Sequence, residues 1–435
     1  MCEDVPTSGR GGAFRDLLTA GLWILAVVPS AIGFWLVAGD LAGVRSGQIH
    51  TLIVGSMLTL GGATVLGVLR GFRMPIYEGP ASAYLAAIAV VTAHGRHGTS
   101  AITGGLLVAG AFVALLAILR VDRLMLSVFT PLVANLFVLV VTLAVLPATL
   151  ERAIGATHGL PGEWTAWVSS LVVVSVTFAA RRFPRLTPYS LLAALVAGSV
   201  VHVWIAGAPH ASLGGGIQVP VLTPWGAPAI SAGIAIPFMV AGALAAFNTI
   251  ATGEVVARSG EVAARPDDVN SSHRALLTHA AGQAGGAVLG NLLGTVSRLD
   301  SLGIVRVLGN HGRAPLALAG TLIAGLAFVS PVVALAAAIP LSVSAALLGV
   351  ILWFVLSGAL RAVLAYPVRV VALVAVPSLV PTAIWIAIGS SLAPAVQLIA
   401  NPMLWGVLLA VTLERLVAPP RDQTLGTTVP NARSS

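Results

Sequence analysis

Lysine does not occur in this 435-residue chain, cysteine occurs once, and charged residues of either sign make up only 9% of it. Each shortage excludes something. A soluble protein must dress its surface in polar groups, and 23 basic plus 15 acidic residues cannot cover a chain of this length. A lone cysteine, Cys2, leaves no intrachain disulfide. The formal charge of +8 is carried by arginines set singly or in pairs between apolar stretches, so no basic stripe forms and nucleic acid is not an expected partner. CxxC, HExxH, P-loop and dinucleotide-binding glycine patterns are all missing, so no metal or cofactor is expected, and neither is an enzyme.

What the chain does have is apolar length. Hydrophobic residues make up 57% of it and the mean hydropathy is +0.97. Runs of about 20 apolar residues, enough to cross the hydrocarbon core of a bilayer, recur from end to end. In lipid every backbone polar group must be satisfied within the protein, and uninterrupted apolar runs select helices over a barrel. The expected fold is an all-α polytopic membrane protein. Apolar runs read against Arg, Pro and Gly punctuation give about fourteen segments: 15–38, 47–70, 78–93, 99–119, 122–146, 165–181 and 187–207, then 230–257, 273–293, 300–310, 314–338, 341–363, 368–390 and 395–417. Residues 1–14 and 418–435 read as polar tails, and 208–229 as a Gly/Pro-rich loop between a first half, 15–207, and a second half, 230–417.

The arginines set an orientation. With the N-terminus inside, 19 fall on the cytoplasmic side and 3 (Arg45, Arg96 and Arg152) outside, with Arg298 left at membrane depth. That asymmetry predicts cytoplasmic tails, an extracellular 208–229 loop and residence in the cytoplasmic membrane. The halves also echo one another: "GGATVLGVLRG" (61–71) resembles "GGAVLGNLLG" (285–294). Each is followed by a short broken segment bearing an acid, Glu78 in "PIYEGPASAYL" and Asp300 in "SRLDSLGIV". Seven segments per half make the second repeat inverted, and interrupted segments at matching places point to a transporter's midplane site.

Three stretches carry a family resemblance: "GPASAYLAAI" in the third segment, "GTVSRLDSLGI" in the tenth and "IPLSVSAALLGVILWFVLSGALR" in the twelfth. The chain resembles the nucleobase–ascorbate transporter family, the uracil/xanthine permeases, over essentially its whole length. Gly294, Thr295, Asp300, Ser301, Leu302 and Gly303 fit the family's tenth-segment pattern, with Asp in place of the usual Glu. In the eighth segment the family acid is replaced by Asn248 of "NTIAT", and the first-helix Gln-His pair is absent. The resemblance implies a core domain of segments 1–4 and 8–11 and a gate domain of 5–7 and 12–14. It also implies that the third and tenth segments begin as a strand and end as a half-helix. Proton-coupled uptake of a uracil- or xanthine-like base is implied too, often by a homodimer joined through the gate domains.

The residues themselves allow definite chemistry. An acid at membrane depth is costly and by default faces a cavity with a task. Asp300 can accept from the N–H edge of a purine or pyrimidine dione, and can carry the coupled proton. Arg298 is two residues away, so on a strand it would share a face with Asp300, pairing with it or attracting an anionic substrate; otherwise it reaches for the nearer membrane surface. Asn248 offers a donor and an acceptor without titrating, and Glu254, further along that helix, is a second candidate for the proton. Ser301, the backbone of Ala83, the ring of Tyr84 and the carboxylate of Glu78 complete the expected substrate site. His279 has no motif around it and reads as packing. Together with the resemblance, these observations lead to an expectation of secondary active transport of a nucleobase with a proton or another cation. The alternatives are a sulfate-permease-like anion transporter of the same fold and a passive channel.

Overall fold

The computed structural model describes residues 10–92, 98–121, 130–156, 162–183, 186–207, 216–258, 272–308, 312–388 and 402–417. Both tails (apart from residues 10–14), the start of the 208–229 loop, and Arg96, Arg123, Arg185, Arg265, Arg421 and Arg433 lie outside the described residues. The first half forms α1 (Arg10–Leu41), α2 (Ile49–Arg70), β1 (Glu78–Gly79), α3 (Ser82–Thr92), α4 (Thr99–Ile118), α5 (Pro131–Ala153), α6 (Trp164–Arg181) and α7 (Ser190–Ala206). The second forms α8 (Ala232–Arg258), α9 (Ser272–Leu289), β2 (Val296–Ser297), α10 (Ser301–Leu308), α11 (Ala314–Leu326), α12 (Ser330–Ala337), α13 (Leu341–Leu364), α14 (Val376–Ile388) and α15 (Pro402–Val417). Among the described residues, seven helices are long and apolar enough to cross a membrane.

Three segments depart from the expected spans. The fifth helix is described from Pro131 and not from residue 122, because Thr130 caps it: its Oγ1 accepts the Val133 N–H at 3.2 Å, and Pro131 follows where no N–H is required. It runs on to Ala153 through Glu151 and Arg152, since Arg152 finds Asp40 at the end of α1, 2.6 Å away. The expected 314–338 segment is two helices, α11 and α12, parted at Ala327–Val329. Val329 is extended and Pro331 cannot donate to the turn before it. Gln218 fills the break, its N–H reaching the Phe328 carbonyl at 2.9 Å and its side chain the Ala327 carbonyl at 2.8 Å. The thirteenth segment opens with a helical turn, Val368–Val370, and a π turn, Val371–Ala375, before α14.

The helices pack in two groups. In one, α4 lies against α8 and α9, α2 against α9 and α11, α1 against α11, and α3 against α8. In the other, α13 lies against α5 and α6, α6 against α7, and α15 against α5 and α14. The main seams are α1 on α13, α3 on α5 and α1 on α7. Close approach within the first group needs glycine: a Cβ on Gly61 would strike the Gly320 backbone, and one on Gly55 the Leu289 carbonyl.

Helix ends that strict alternation would place on one side of a bilayer do touch. The ends of α1 and α5 meet through Asp40 and Arg152, and the start of α5 meets the last turn of α15 through Thr130 and Glu414, 2.6 Å apart. At the α1–α5 end, loop 216–229 joins the start of α4 (Ala229 N–H to the Ser100 carbonyl, 2.9 Å). It also joins the end of α9 (Trp225 Nε1 to the Gly290 carbonyl, 2.9 Å).

Candidate functional site at a strand crossing

Two short strands meet at the centre of the first helix group. β1 and β2 pair antiparallel, with Glu78 opposite Ser297 and Gly79 opposite Val296. Successive strand side chains point to opposite faces. The crossing therefore has one face bearing Tyr77, Gly79 and Arg298, and another bearing Glu78 and Ser297.

The first face is open. Asp300 ends the turn between β2 and α10, with its side chain 49% exposed. Its carboxylate accepts from Tyr77 Oη at 2.9 Å and from Arg298, at 3.2 Å from Nη2 and 3.4 Å from Nε. The Arg298 N–H donates to the Tyr77 carbonyl at 3.0 Å, which registers the side chains above it. The stem of Arg298 lies over Gly79, where a Cβ would come within 2.9 Å of Arg298 Cγ. From α1, the Phe34 ring centroid lies 6.0 Å from the guanidinium carbon, and Trp23 meets Tyr77 edge-on with centroids 6.1 Å apart. The result is an accessible acceptor, backed by a guanidinium that retains further N–H donors, in an aromatic frame.

The second face is sealed. Glu78 and His279 side chains are 7% and 0% exposed. Glu78 Oε1 accepts from Ser297 Oγ at 2.5 Å, and the Glu78 N–H donates to Thr64 Oγ1 of α2 at 3.1 Å. The other oxygen, Oε2, faces His279 Nδ1 across 4.0 Å, and neither atom has a hydrogen-bond partner. Gln283, one turn along α9, donates from Nε2 to the Thr295 carbonyl at 2.7 Å and lies 3.2 Å from His279 Nε2.

The structure distributes the expected site residues unevenly. Arg298 and Asp300 come together. Ser301 does not join them: fully buried, it accepts the Tyr77 N–H at 3.1 Å and so holds β1 against α10. Glu78 turns away from Asp300 to the sealed face. Tyr84 is completely buried and stacks on Phe238 with centroids 5.9 Å apart, a packing arrangement, and Ala83 is buried beside it. Asn248 is exposed on α8. Its neighbours Thr249 and Thr252 bind the crossing instead, at the Ser297 N–H (3.4 Å) and carbonyl (3.3 Å). Glu254 is half-buried, one turn before Arg258 at the end of α8.

The two acids are also not counterparts in the repeat. Counted back from the first residues of the half-helices, Ser82 and Ser301, Glu78 corresponds to Ser297 and Asp300 to Ala81. Sequence reading took His279 for packing and passed over Gln283, Tyr77 and the two threonines. A signal was present for His279 and Gln283: polar residues four apart on a small-residue helix share one face.

Comparison with known proteins agrees with this architecture. The sequence profile of a permease family, the xanthine/uracil permeases, matches residues 15–396. YwdJ of Bacillus subtilis (strain 168), provisionally named a purine permease, is 24% identical over 251 residues, 55% of this chain and 57% of its own length. The uric acid permease PucJ of the same organism is 24% identical over 340 residues, 74% of this chain and 73% of its own. Among solved structures, the transmembrane domain of a cyanobacterial bicarbonate transporter, BicA, superposes with a TM-score of 0.61 at 16% identity, covering 91% of this chain and 97% of that one. The murine anion transporter Slc26a9 in its inward-facing state gives 0.61 at 13%, covering 95% and 73%. At those identities the likeness is one of fold, the inverted seven-plus-seven repeat. The family match spans most of the sequence, and the chain belongs to the xanthine/uracil permeases, a family of membrane transporters and not of enzymes.

Proposed function

We propose that this protein is a proton-coupled secondary transporter that takes up a planar oxidised base of the xanthine, uric acid or uracil type across the cytoplasmic membrane. The observation that carries the reading is the accessible Asp300–Arg298 pair at the start of α10. The carboxylate accepts from ring N–H groups, and the guanidinium supplies donors to ring carbonyls. Because the guanidinium compensates the acid, the site tolerates a base that carries negative charge itself, as urate does. The purine and uric acid permeases among its relatives support this substrate class. Asn248 adds a non-titrating donor and acceptor from α8. The first helix group serves as the substrate-bearing core and the second as the gate, through which two copies pair.

Uptake of radiolabelled uric acid, xanthine and uracil into cells, with and without an uncoupler, tests the proposal. Saturable uptake of at least one base, abolished by the uncoupler, is the expected result. Uptake of none, or uptake indifferent to the uncoupler as in a passive channel, would overturn it. The orientation is tested by a cysteine at Val219, an 84% exposed loop position, in a Cys2→Ser background. An impermeant thiol reagent should label it from outside intact cells, and labelling only after the cells are broken would invert the topology.

A further inference from the structure

Behind the strand crossing, on residues that touch one another, four buried polar atoms lack partners among the described residues: Glu78 Oε2, His279 Nδ1, Gln283 Oε1 and Thr295 Oγ1. Buried polar groups are satisfied in the great majority of cases, so four orphans in one place ask for an occupant. We propose that Glu78 and His279 form the site that takes up and releases the coupled proton, on the face of the crossing opposite the substrate site. This rests on the proton-coupled reading above and assigns that proton a place.

The hydrogen-bond pattern selects the tautomer of a neutral His279. The 2.7 Å contact to the Thr295 carbonyl identifies the nearby Gln283 atom as its amide nitrogen, which has a second N–H for His279 Nε2. His279 therefore accepts at Nε2 and, when neutral, carries its hydrogen on Nδ1, toward Glu78 Oε2. The 4.0 Å gap is too wide for a hydrogen bond, so Oε2 keeps unused lone pairs in an enclosed space. A proton arriving there bonds to Oε2 and neutralises the carboxylate, and its departure restores the charge. The group set against Glu78 from α9 is His279; α2 presents Thr64 and Gly67, β2 presents Ser297, and Tyr77, Arg298 and Asp300 occupy the other face. Of the two acids at the crossing, Glu78 has no guanidinium or other fixed cation against it among the described residues. Asp300 already has a cation.

The geometry also links the two sites. Glu78 holds Ser297 through Oε1, and Ser297 precedes Arg298, the partner of Asp300. Neutralising Glu78 weakens a charge-assisted bond across the strand pair and so bears on the register of Arg298. The positions are thus one strand apart and share a backbone.

Proteoliposomes made with purified protein test the proposal, with radiolabelled uric acid, xanthine and uracil as probes. Two assays are compared: counterflow at equal pH on both sides, and accumulation driven by an inward proton gradient. One-to-one coupling to a gradient of about one pH unit supports roughly tenfold accumulation. In Glu78→Gln and His279→Gln, counterflow is expected to persist while gradient-driven accumulation disappears. Either variant accumulating base as wild type does would overturn the assignment, as would loss of counterflow in both, which would make the pair part of the fold. If wild type itself ignores the gradient, proton coupling fails, a result distinct from a driven wild type with equally driven variants.

Discussion

The two faces of the strand crossing treat an acid in opposite ways. On one, Asp300 is half exposed, and its oxygens take a tyrosine hydroxyl and a guanidinium. On the other, Glu78 is sealed, one oxygen held by Ser297 and the other opposed to an imidazole just out of bonding range. A carboxylate with a fixed counter-charge and access to the surface is suited to binding and exchanging a polar ligand. A carboxylate with neither, enclosed beside a histidine, changes its interactions most when a proton comes or goes. The contrast underlies both proposals, ligand recognition at the open face and protonation at the sealed one, while a single strand pair ties the two faces together.

The largest effect should come from filling the sealed face. Gly294 lies just before β2 with φ at +58°, and a Cβ there would run into the Gln283 side chain, which braces His279. Gly294→Ala combines a left-handed backbone penalty with overpacking, roughly 2–5 kcal/mol together. A clear fall in the thermal unfolding midpoint of the purified protein is expected. Gly62→Ala, on a helix position with nothing within 4 Å of the added carbon, is the control and should be neutral or slightly stabilising. Equal midpoints for Gly294→Ala and wild type would mean that the sealed face is looser than drawn, and the contrast between the faces would go with it.

A smaller effect, on binding and not on stability, is expected at the open face. Asp300→Asn offers an N–H where an acceptor is needed, a mismatch costing on the order of 1–3 kcal/mol, or roughly 5- to 150-fold in affinity for the transported base. Arg298→Gln should weaken binding as well. The double variant should lose less than the sum, because the two side chains share one hydrogen-bonded pair. Competition binding together with unfolding midpoints measures both. If Asp300→Asn leaves affinity intact and lowers the midpoint, the pair belongs to the fold.

How much of this was legible in the sequence depended on distance along the chain. Arg298 and Asp300 are two residues apart, so strand geometry alone could bring them together. The apolar helices themselves were likewise written in local punctuation, although three of the expected spans were not. Glu78 and His279 are separated by about the length of one repeat, and no local pattern records that α9 lays its polar face against β1. The echo between the halves misled in one respect. Residue type pairs Glu78 with Asp300, whereas the helix starts pair Glu78 with Ser297. The two halves share a backbone path at the crossing but carry their acids at different positions along it. The eleventh segment was read as one helix for a related reason, since the carbonyls freed at its break are satisfied by Gln218 from a loop about 110 residues earlier.

The smallest predicted effect decides whether the open face extends along α3. Tyr84 was a candidate to stack on a base, yet its ring is completely buried against Phe238, and its hydroxyl has no hydrogen-bond partner. A hydroxyl sealed without a partner is a desolvated dipole, and removing it relieves that cost while the ring keeps its packing. Tyr84→Phe should therefore leave the unfolding midpoint unchanged or raise it by the equivalent of about 1 kcal/mol, with affinity for uric acid, xanthine and uracil unaltered. The Cβ position of Gly242 on α8 lies 3.3 Å from the hydroxyl, so there is little room for a ligand atom between them. A several-fold loss of affinity in Tyr84→Phe would show that the helix opens during transport and lends this hydroxyl to the substrate. The boundary between sealed and open faces would then move one turn along α3, carrying Ala83 into the site with it.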